Sequence, residues 1–250
     1  MMMINPTYEH LRSYIERLPL VFETEGREIY RLRNLIKVFE APDGTQLNVK
    51  RYHVPRGLSR LVYSLSIRKP KGYRAFVYPN RLLANGIPTP EPVAYIEECN
   101  SINMLGYSYF VSLQCPYEYT LYEMITATPT LYMPMADAVA KLATQMHAAN
   151  ILHLDFTPGN ILWRKNADGD FNFCIVDINR MRFGQVDFED GLKNLIKFWG
   201  PKEFLSQIFR TYALLHGVDP SFAQRLGLEW RQQFWKHYLK RHQVPFVVEV

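Results

Sequence analysis

The segment HLDFTPGNILW, residues 153–163, constrains the fold of this chain more than any other stretch of its sequence. It places Asp155 and Asn160 five residues apart, with Pro158 and Gly159 between them, directly before an apolar run. A Pro-Gly pair indicates a turn, but surface loops seldom lead straight into Ile-Leu-Trp. We therefore expect a tight turn that brings Asn160 back beside Asp155.

The stretches on either side of this segment are predicted to be a helix and a strand. Residues 131–150 contain an apolar stripe with spacings of four, three and four, typical of a helix buried along one face: Met135, Val139, Leu142 and Met146. After the segment, Asp168-Gly169 indicates a turn. Residues 171–179, FNFCIVDIN, are then typical of a buried strand that ends at an acid, Asp177.

The first third of the chain is predicted to form strands joined by short turns. Residues 28–39 and 46–52 are compatible with strands, and Pro42-Asp43-Gly44 between them indicates the turn of an antiparallel hairpin. Further strands are expected at the end of residues 87–98, after a proline-punctuated loop, and over residues 107–113.

Helices are expected in two further parts of the chain. One covers Tyr73–Asn85 and is closed by Gly86, with Pro79 at its start or at a kink. Residues 188–240 are mostly helical in pattern. A strand-rich first part and a helical second part that meet near residues 114–118 predict two lobes with a cleft.

This order of elements resembles the catalytic core of the protein-kinase-like superfamily. The pattern there is H-x-D-x-x-x-x-N, followed by a strand and a D-F-G-type motif. His153, Asp155 and Asn160 fill the first part, and Asp177-Ile178-Asn179 stands in the place of the second. Upstream, Lys50 in NVKRY occupies the position of the lysine on the third strand in that superfamily.

The resemblance implies an α+β, two-lobed protein-kinase-like fold with a nucleotide cleft between the lobes. A strand-rich N-lobe, with an antiparallel sheet and one helix, is expected over residues 1–114. A helical C-lobe with the catalytic loop is expected over residues 115–250. Together the two lobes would form one kinase-like domain.

The resemblance also implies the cofactors ATP and Mg²⁺ and a role for each motif residue. Asn160 and Asp177 provide oxygen ligands for Mg²⁺, a hard cation that bridges phosphates and keeps some of its waters. Lys50 pairs with the α- and β-phosphates, while Asp155 orients the acceptor hydroxyl and takes its proton. His153 is expected to brace the loop. Two structural alternatives stay open: Lys50 as an ordinary strand lysine, and Asp177 as a turn or helix-cap residue.

Three segments resemble one branch of the superfamily, the small bacterial lipopolysaccharide kinase-like proteins of the Kdo/WaaP-like, InaA-type group. These segments are RLLANGIPTPEPVAYIE, HLDFTPGNIL and VDINRM. The resemblance covers residues 25–200 and implies a kinase whose acceptor is a sugar hydroxyl of the lipopolysaccharide inner core. Aminoglycoside phosphotransferases and RIO-type kinases carry the same H-x-D-x-x-x-x-N core, so a small-molecule or RIO-type acceptor stays open.

The stretch after Asp177 favours a small acceptor over a protein. It leaves little room before the helical part that starts near Phe188, and it contains no A-P-E motif. Protein substrates usually dock on this segment in kinases. A small-molecule or lipid-linked acceptor, such as the lipopolysaccharide core or another saccharide, therefore fits better.

Two departures from the protein-kinase pattern bear on activity. The first hairpin has no G-x-G-x-x-G motif, and Gly26 stands alone before it. The helix after Lys50 should offer a glutamate to pair with it, but residues 51–90 contain no Asp or Glu. Glu97 and Glu98, on the following strand, are the candidate replacements. A non-catalytic pseudokinase or binding module therefore stays open beside the kinase.

Residues 51–90 are also unusually basic. The chain has a net charge of +5, and this block alone carries eight positive charges: Arg51, Arg56, Arg60, Arg68, Lys69, Lys71, Arg74 and Arg81. Such a block indicates an anionic partner, here peripheral contact with an anionic membrane surface or a phosphorylated substrate, unless it is only a solvated face. No nucleic acid is expected, because the block matches no recognisable RNA- or DNA-binding module and the rest of the chain is net acidic.

The cysteines, the lack of a long apolar run and the N-terminal segment together bear on the cellular compartment of the protein. Cys99, Cys115 and Cys174 are far apart with no C-x-x-C pair, which is typical of free thiols in a reducing environment. No run of eighteen apolar residues occurs, and MMMINPTYEH lacks the pattern of a secretory signal. We expect a cytoplasmic protein, peripheral at the inner membrane.

Overall fold

The computed structural model describes residues 1–32, 34–55, 57, 69–101 and 104–244. The chain divides into two compact units. The first comprises residues 1–83 and 89–116, and the second comprises residues 84–88 and 117–250. Each unit has its own secondary structure.

The first unit is built on an antiparallel sheet. Its strands are β1 (Met2–Ile4), β2 (Arg27–Arg31), β3 (Leu35–Glu40), β4 (Gln46–Tyr52), β5 (Pro92–Cys99) and β6 (Leu105–Leu113). Among the described residues they form one six-stranded sheet in the order β1-β5-β6-β4-β3-β2. Within the described part of this unit, the helices α1 (Arg12–Val21) and α2 (Lys71–Ala84) accompany the sheet.

One face of the sheet is covered by α1. Ile15 and Leu18 of this helix are completely buried and share one hydrophobic core with Val49 of β4. The prediction of strands alone in the first third was therefore wrong for this segment. Ile15, Leu18 and Phe22 do recur at helical spacing, but Pro19 lies inside the helix and obscures the pattern, because an interior proline argues against helix.

The opposite face of the sheet carries Lys50 and α2. Side chains alternate along a strand, so Lys50 projects away from the core that contains its neighbour Val49. Lys50 lies opposite Phe110, which in turn lies opposite Tyr95. A Cβ on Gly72 of α2 would lie 2.7 Å from Cε2 of Tyr95, so α2 packs closely on the Lys50 face.

The other elements predicted for the first unit are confirmed with small shifts. The segment 28–39 is two strands, β2 and β3, and the strands predicted near 46–52, 87–98 and 107–113 are β4, β5 and β6. The predicted helix spans Lys71–Ala84, so Pro79 is an interior residue and not its start. Gly86 follows it with a φ of 67°, the left-handed conformation that suits a helix end.

The second unit is mainly helical. Its helices are α3 (Pro129–Ala148), α4 (Phe188–Leu195), α5 (Lys202–Leu215) and α6 (Pro220–Tyr238). Its strands are β7 (Tyr119–Thr120), β8 (Ile151–His153), β9 (Ile161–Lys165), β10 (Phe171–Ile175) and β11 (Met181–Phe183). The pairing order is β10-β9-β7 in one small sheet and β11-β8 in another.

The stripe predicted on residues 131–150 forms the core of this unit. All four of its members on α3, Met135, Val139, Leu142 and Met146, are buried. No helix in the described ranges has the length and apolar character needed to cross a membrane.

Candidate active site

Short backbone pairings hold the two predicted motifs together in the second unit. The segment HLDFTPGN begins at the end of β8, where His153 pairs with Met181 of β11. At its other end, the carbonyl oxygen of Asn160 accepts a hydrogen bond of 2.9 Å from the amide of Val176. Asp177 is the next residue. Both ends of the catalytic loop are thus tied to the segment that carries Asp177.

His153 braces this loop from inside. It is completely buried, and its Nδ1 accepts a hydrogen bond of 3.0 Å from the amide of Asp155. Its Nε2 must therefore carry the proton, which it donates to the carbonyl oxygen of Val176 at 3.3 Å. Burial lowers the pKa of His153 and so favours this neutral form.

Asn160 ends a single 3₁₀ turn, Pro158–Asn160. Its Nδ2 donates a hydrogen bond of 2.8 Å to the carbonyl oxygen of Asp155, which leaves Oδ1 as the amide atom open to a ligand. Gly159 is required here by a close approach, because an added Cβ would lie 2.6 Å from Cε2 of Tyr122. The predicted turn therefore does place Asn160 beside Asp155.

Asp177 has a strained backbone and a fixed side chain. Its φ is 55°, a left-handed conformation that is uncommon outside glycine and that concentrates at functional sites. Asn179 donates a hydrogen bond from its Nδ2 to Oδ1 of Asp177. The next helix, α4, is capped by Asp187, whose side chain accepts from the amide of Asp190 at 2.7 Å. Asp177 is thus not the cap of that helix.

The Asp155 carboxylate lies beside two cationic side chains. Nη1 of Arg180 is 3.0 Å from Oδ2 of Asp155, and the Asp155 side chain remains 41% exposed. Lys197 donates to the carbonyl oxygen of Leu154 at 2.7 Å. Burial lowers the pKa of Lys197, while the nearby Asp155 opposes that shift. The carboxylate is therefore held in place and still accessible.

A buried polar chain supports the loop from the helices. Asn194 of α4 donates from Nδ2 to the carbonyl oxygen of His153 at 2.9 Å. Its Oδ1 must then accept from Nε2 of His147 of α3, at 3.3 Å, and the His147 Nδ1 accepts from the Tyr212 hydroxyl at 2.9 Å. We call these three side chains, Tyr212, His147 and Asn194, the polar relay. Each member donates a hydrogen bond to the next, and the last bond, from Asn194, is to the carbonyl oxygen of His153 on the catalytic loop.

The donor set of this site suits a magnesium ion. Asp177 and Asn160 offer a carboxylate and an amide oxygen, the hard ligands that Mg²⁺ takes from proteins while it keeps waters and binds phosphate. Within the described ranges no three His, Cys, Asp or Glu side chains come together as a metal cluster. The residues present therefore fit a cation that is bound partly by nucleotide phosphates.

Lys50 belongs to the first unit, on the α2 face of the sheet. Its Nζ lies 5.3 Å from the centroid of the Tyr52 ring. Of the two candidate replacements for the missing helix acid, Glu97 lies opposite Ser108 in the ladder, on the Lys50 face. Glu98 is the neighbouring residue; burial raises the pKa of its carboxyl, and Arg51 opposes that shift from the α1 face.

Comparison with known families decides what kind of protein carries these residues. The model of the lipopolysaccharide kinase (Kdo/WaaP) family matches residues 23–198. The chain belongs to this family. The match spans the basic block, Lys50 and both motifs of the second unit, and it confirms the family resemblance. The protein is a kinase.

A solved structure with a TM-score of 0.62 confirms the protein-kinase-like α+β fold of this family member. WaaP in complex with acyl carrier protein is similar, with a TM-score of 0.62 and 17% sequence identity over 95% of this chain and 98% of that chain. The Rio2 kinase-ADP/Mg²⁺-phosphoaspartate complex from Chaetomium thermophilum has a TM-score of 0.48 and 16% identity over 84% of this chain and 64% of that chain. A comparison with curated protein sequences gives no match.

The structure of this Kdo/WaaP-family kinase adds residues that the sequence reasoning missed. Asp155, Asn160 and Asp177 come together in the second unit as expected, and Lys50 lies in the first. Around them the structure also brings Asn179, Arg180 and Lys197. Asn179 and Arg180 follow Asp177 directly in VDINRM, so that motif held a usable signal. The polar relay left no recognisable signal in the sequence, because Tyr212, His147 and Asn194 are far apart along the chain.

Proposed function

We propose that this kinase transfers the γ-phosphoryl group of ATP, with Mg²⁺, to a sugar hydroxyl of the lipopolysaccharide inner core. The bond between the β-γ bridging oxygen and the γ-phosphorus breaks, a bond from the sugar oxygen to that phosphorus forms, and ADP leaves. One observation carries the proposal: the loop pairings place Asp155, Asn160 and Asp177 beside one another in the second unit.

Each residue has a role that follows from its surroundings. Oδ1 of Asn160 and the Asp177 carboxylate would hold Mg²⁺, which supplies charge neutralisation at the phosphates when bound. Asp155 is held at Oδ2 by Arg180 and remains accessible, so it can orient the acceptor hydroxyl and take its proton. Lys50 is assigned to the α- and β-phosphates, as in the kinase superfamily.

The acceptor is proposed to be a saccharide for two reasons. The family is one of lipopolysaccharide kinases. In addition, only residues 178–187 separate Asp177 from α4, and three of them form β11, so the protein has no long segment there for docking a protein substrate. A phosphorylated, lipid-linked sugar core fits both facts.

The basic block is proposed to hold the enzyme at the anionic cytoplasmic surface of the inner membrane. Arg56, Arg60 and Arg68 lie outside the described residues, while the other five lie within them. Lys71, Arg74 and Arg81 are on α2. Arg51 lies on the other face of the sheet in an ion pair with Glu23, and Nε and Nη2 of Arg74 are buried, so these two residues are not counted toward surface binding. Each cation near an anionic surface contributes about 1 kcal/mol. WaaP has been solved with acyl carrier protein, and we propose that protein as a further candidate partner, testable by co-purification.

The proposal is tested by incubating the protein with isotope-labelled ATP, Mg²⁺ and extracted lipopolysaccharide core, followed by mass spectrometry of the glycan. We expect label on the core with the wild-type protein and labelling slower by about 100-fold or more with Asp155→Asn. Asp170→Asn, at an exposed turn residue, is the matched control and should behave as wild type. Equal labelling by Asp155→Asn would refute the assignment. If the wild-type protein does not hydrolyse ATP at all, the result would instead support the pseudokinase alternative.

A further inference from the structure

Asn179 is the third residue of the D-I-N motif and has a half-satisfied side chain. It is 4% exposed, and its Nδ2 donates to Oδ1 of Asp177. Its own Oδ1 is buried and has no hydrogen-bond partner among the described residues. A carboxylate only accepts hydrogen bonds at neutral pH, so the bond to Asp177 fixes which end of the amide is which. The oxygen is therefore the atom that lacks a partner.

A buried carbonyl oxygen without a donor lowers stability, so buried polar groups are normally paired by protein or water. At this position an apolar residue would avoid the penalty, and glycine stands here in the D-F-G motif of protein kinases. The penalty is compensated if Oδ1 gains a donor or a cation when the enzyme binds its ligands. The location beside Asp177 indicates which ligand that is.

We propose that Asn179 is a further residue of the metal site, resting on the proposed function of Asp177 and Asn160 as magnesium holders. Its Nδ2 orients the Asp177 carboxylate, and its Oδ1 would accept a hydrogen bond from a water bound to the cation. Mg²⁺ keeps several waters in such sites, and each is a hydrogen-bond donor. Residues that orient metal ligands in this way typically change metal affinity by about 10- to 100-fold when replaced.

Two substitutions separate this role from simple packing. Asn179→Leu has a similar volume but no polar atom. Asn179→Asp keeps the acceptor and replaces the donor with a second carboxylate facing Asp177. Without metal that variant should unfold at a lower temperature than wild type because of charge repulsion, and Mg²⁺ with ADP should raise its melting temperature more than that of wild type. Asn172→Leu, half-buried on the neighbouring β10, is the matched control.

The decisive measurement is Mn²⁺ affinity in the presence of ADP, read by electron paramagnetic resonance and independent of turnover. We expect Asn179→Leu to bind Mn²⁺ about 10- to 100-fold more weakly than wild type, and Asn172→Leu to bind as wild type does. Unchanged Mn²⁺ affinity in Asn179→Leu overturns the inference. So does a loss of melting temperature in Asn179→Asp that Mg²⁺ and ADP do not reduce, which also settles the matter if the leucine variant does not fold.

Failure of the inference and failure of the proposed function give different results. If Asp177→Ala loses Mn²⁺ binding while Asn179→Leu retains it, the metal pair stands and the role of Asn179 is wrong. If the wild-type protein itself binds ADP without any dependence on Mn²⁺, both are wrong.

Discussion

The polar relay makes a sharp prediction about stability and turnover. In Asn194→Leu, the Nε2–H group of His147 and the carbonyl oxygen of His153 both lose their partner. Both residues are buried, at 2% and 0% exposure, so solvent does not replace the lost bonds. An unpaired buried polar group costs about 1–3 kcal/mol, and leucine leaves little cavity. For the two groups together, the unfolding free energy should fall by about 2–6 kcal/mol.

The chain offers a convenient signal for this measurement. All four tryptophans, Trp163, Trp199, Trp230 and Trp235, lie in the second unit. Tryptophan fluorescence during urea unfolding therefore reports on the unit that contains the relay. Turnover should fall as well, because the bond from Asn194 fixes the carbonyl of His153 at the start of the catalytic loop. Asn172→Leu is the control, expected within about 0.5 kcal/mol of wild type.

A double-mutant cycle tests whether the relay acts as a unit. His147→Leu leaves the Tyr212 hydroxyl and Oδ1 of Asn194 unpaired, and the two single changes break the same bond between His147 and Asn194. The double variant should therefore lose less stability than the sum of the single changes, by about 0.5–3 kcal/mol. Effects that add to within about 0.5 kcal/mol would show that the relay does not couple these residues.

Four further predictions concern chemistry, metal, pH and membrane contact. Asp155→Asn should retain Mg-ATP binding and lose turnover by about 100-fold or more; loss of nucleotide binding would make Asp155 structural. ATP should raise the melting temperature only with Mg²⁺ or Mn²⁺, and Asp177→Ala should abolish that shift; a wild-type response in this variant would refute the metal assignment. Burial lowers the pKa of His147 from 6.5 to about 4, so the unfolded state binds the proton more readily between these values. The unfolding free energy should therefore fall as pH drops from 6.5 to about 4, by up to about 1.4 kcal/mol per pH unit from this residue, and His147→Leu should reduce that slope in urea titrations. Binding to anionic liposomes should weaken steeply with salt, since charge attraction is screened within about 8–10 Å; salt-insensitive binding, or equal binding after reversal to Glu of Arg68, Lys69, Lys71 and Arg74, would refute membrane docking.

The local elements of the fold could be predicted because their signals lie within short windows. Met135, Val139, Leu142 and Met146 show the period of α3 directly. The catalytic loop was recognisable because Asp155 and Asn160 are separated by a fixed short spacing. The roles assigned to Lys50, Asp155, Asn160 and Asp177 stay predictions until the variants are measured.

Other features depend on contacts between segments that are far apart in sequence, which a short stretch of residues does not show. Strand β1 has only three residues, and it is held by a strand far along the chain, with Met3 opposite Tyr95. The three residues alone therefore gave no sign of a strand. The acid that should accompany Lys50 was sought on the helix, but the ladder places Glu97 on the Lys50 face of a later strand. Register, which sequence alone does not fix, is what puts Glu97 rather than Glu98 on that face.

The catalytic motif is local in sequence, but its geometry is set from a distance. Gly191 illustrates this, because a Cβ there would lie 1.8 Å from the Tyr212 hydroxyl and 2.8 Å from Nδ1 of His147. A single methyl group on α4 is thus incompatible with the relay that ends on the carbonyl of His153. Substitutions on helices with no motif of their own, such as Gly191→Ala on α4, should therefore lower turnover by displacing the relay that holds the catalytic loop.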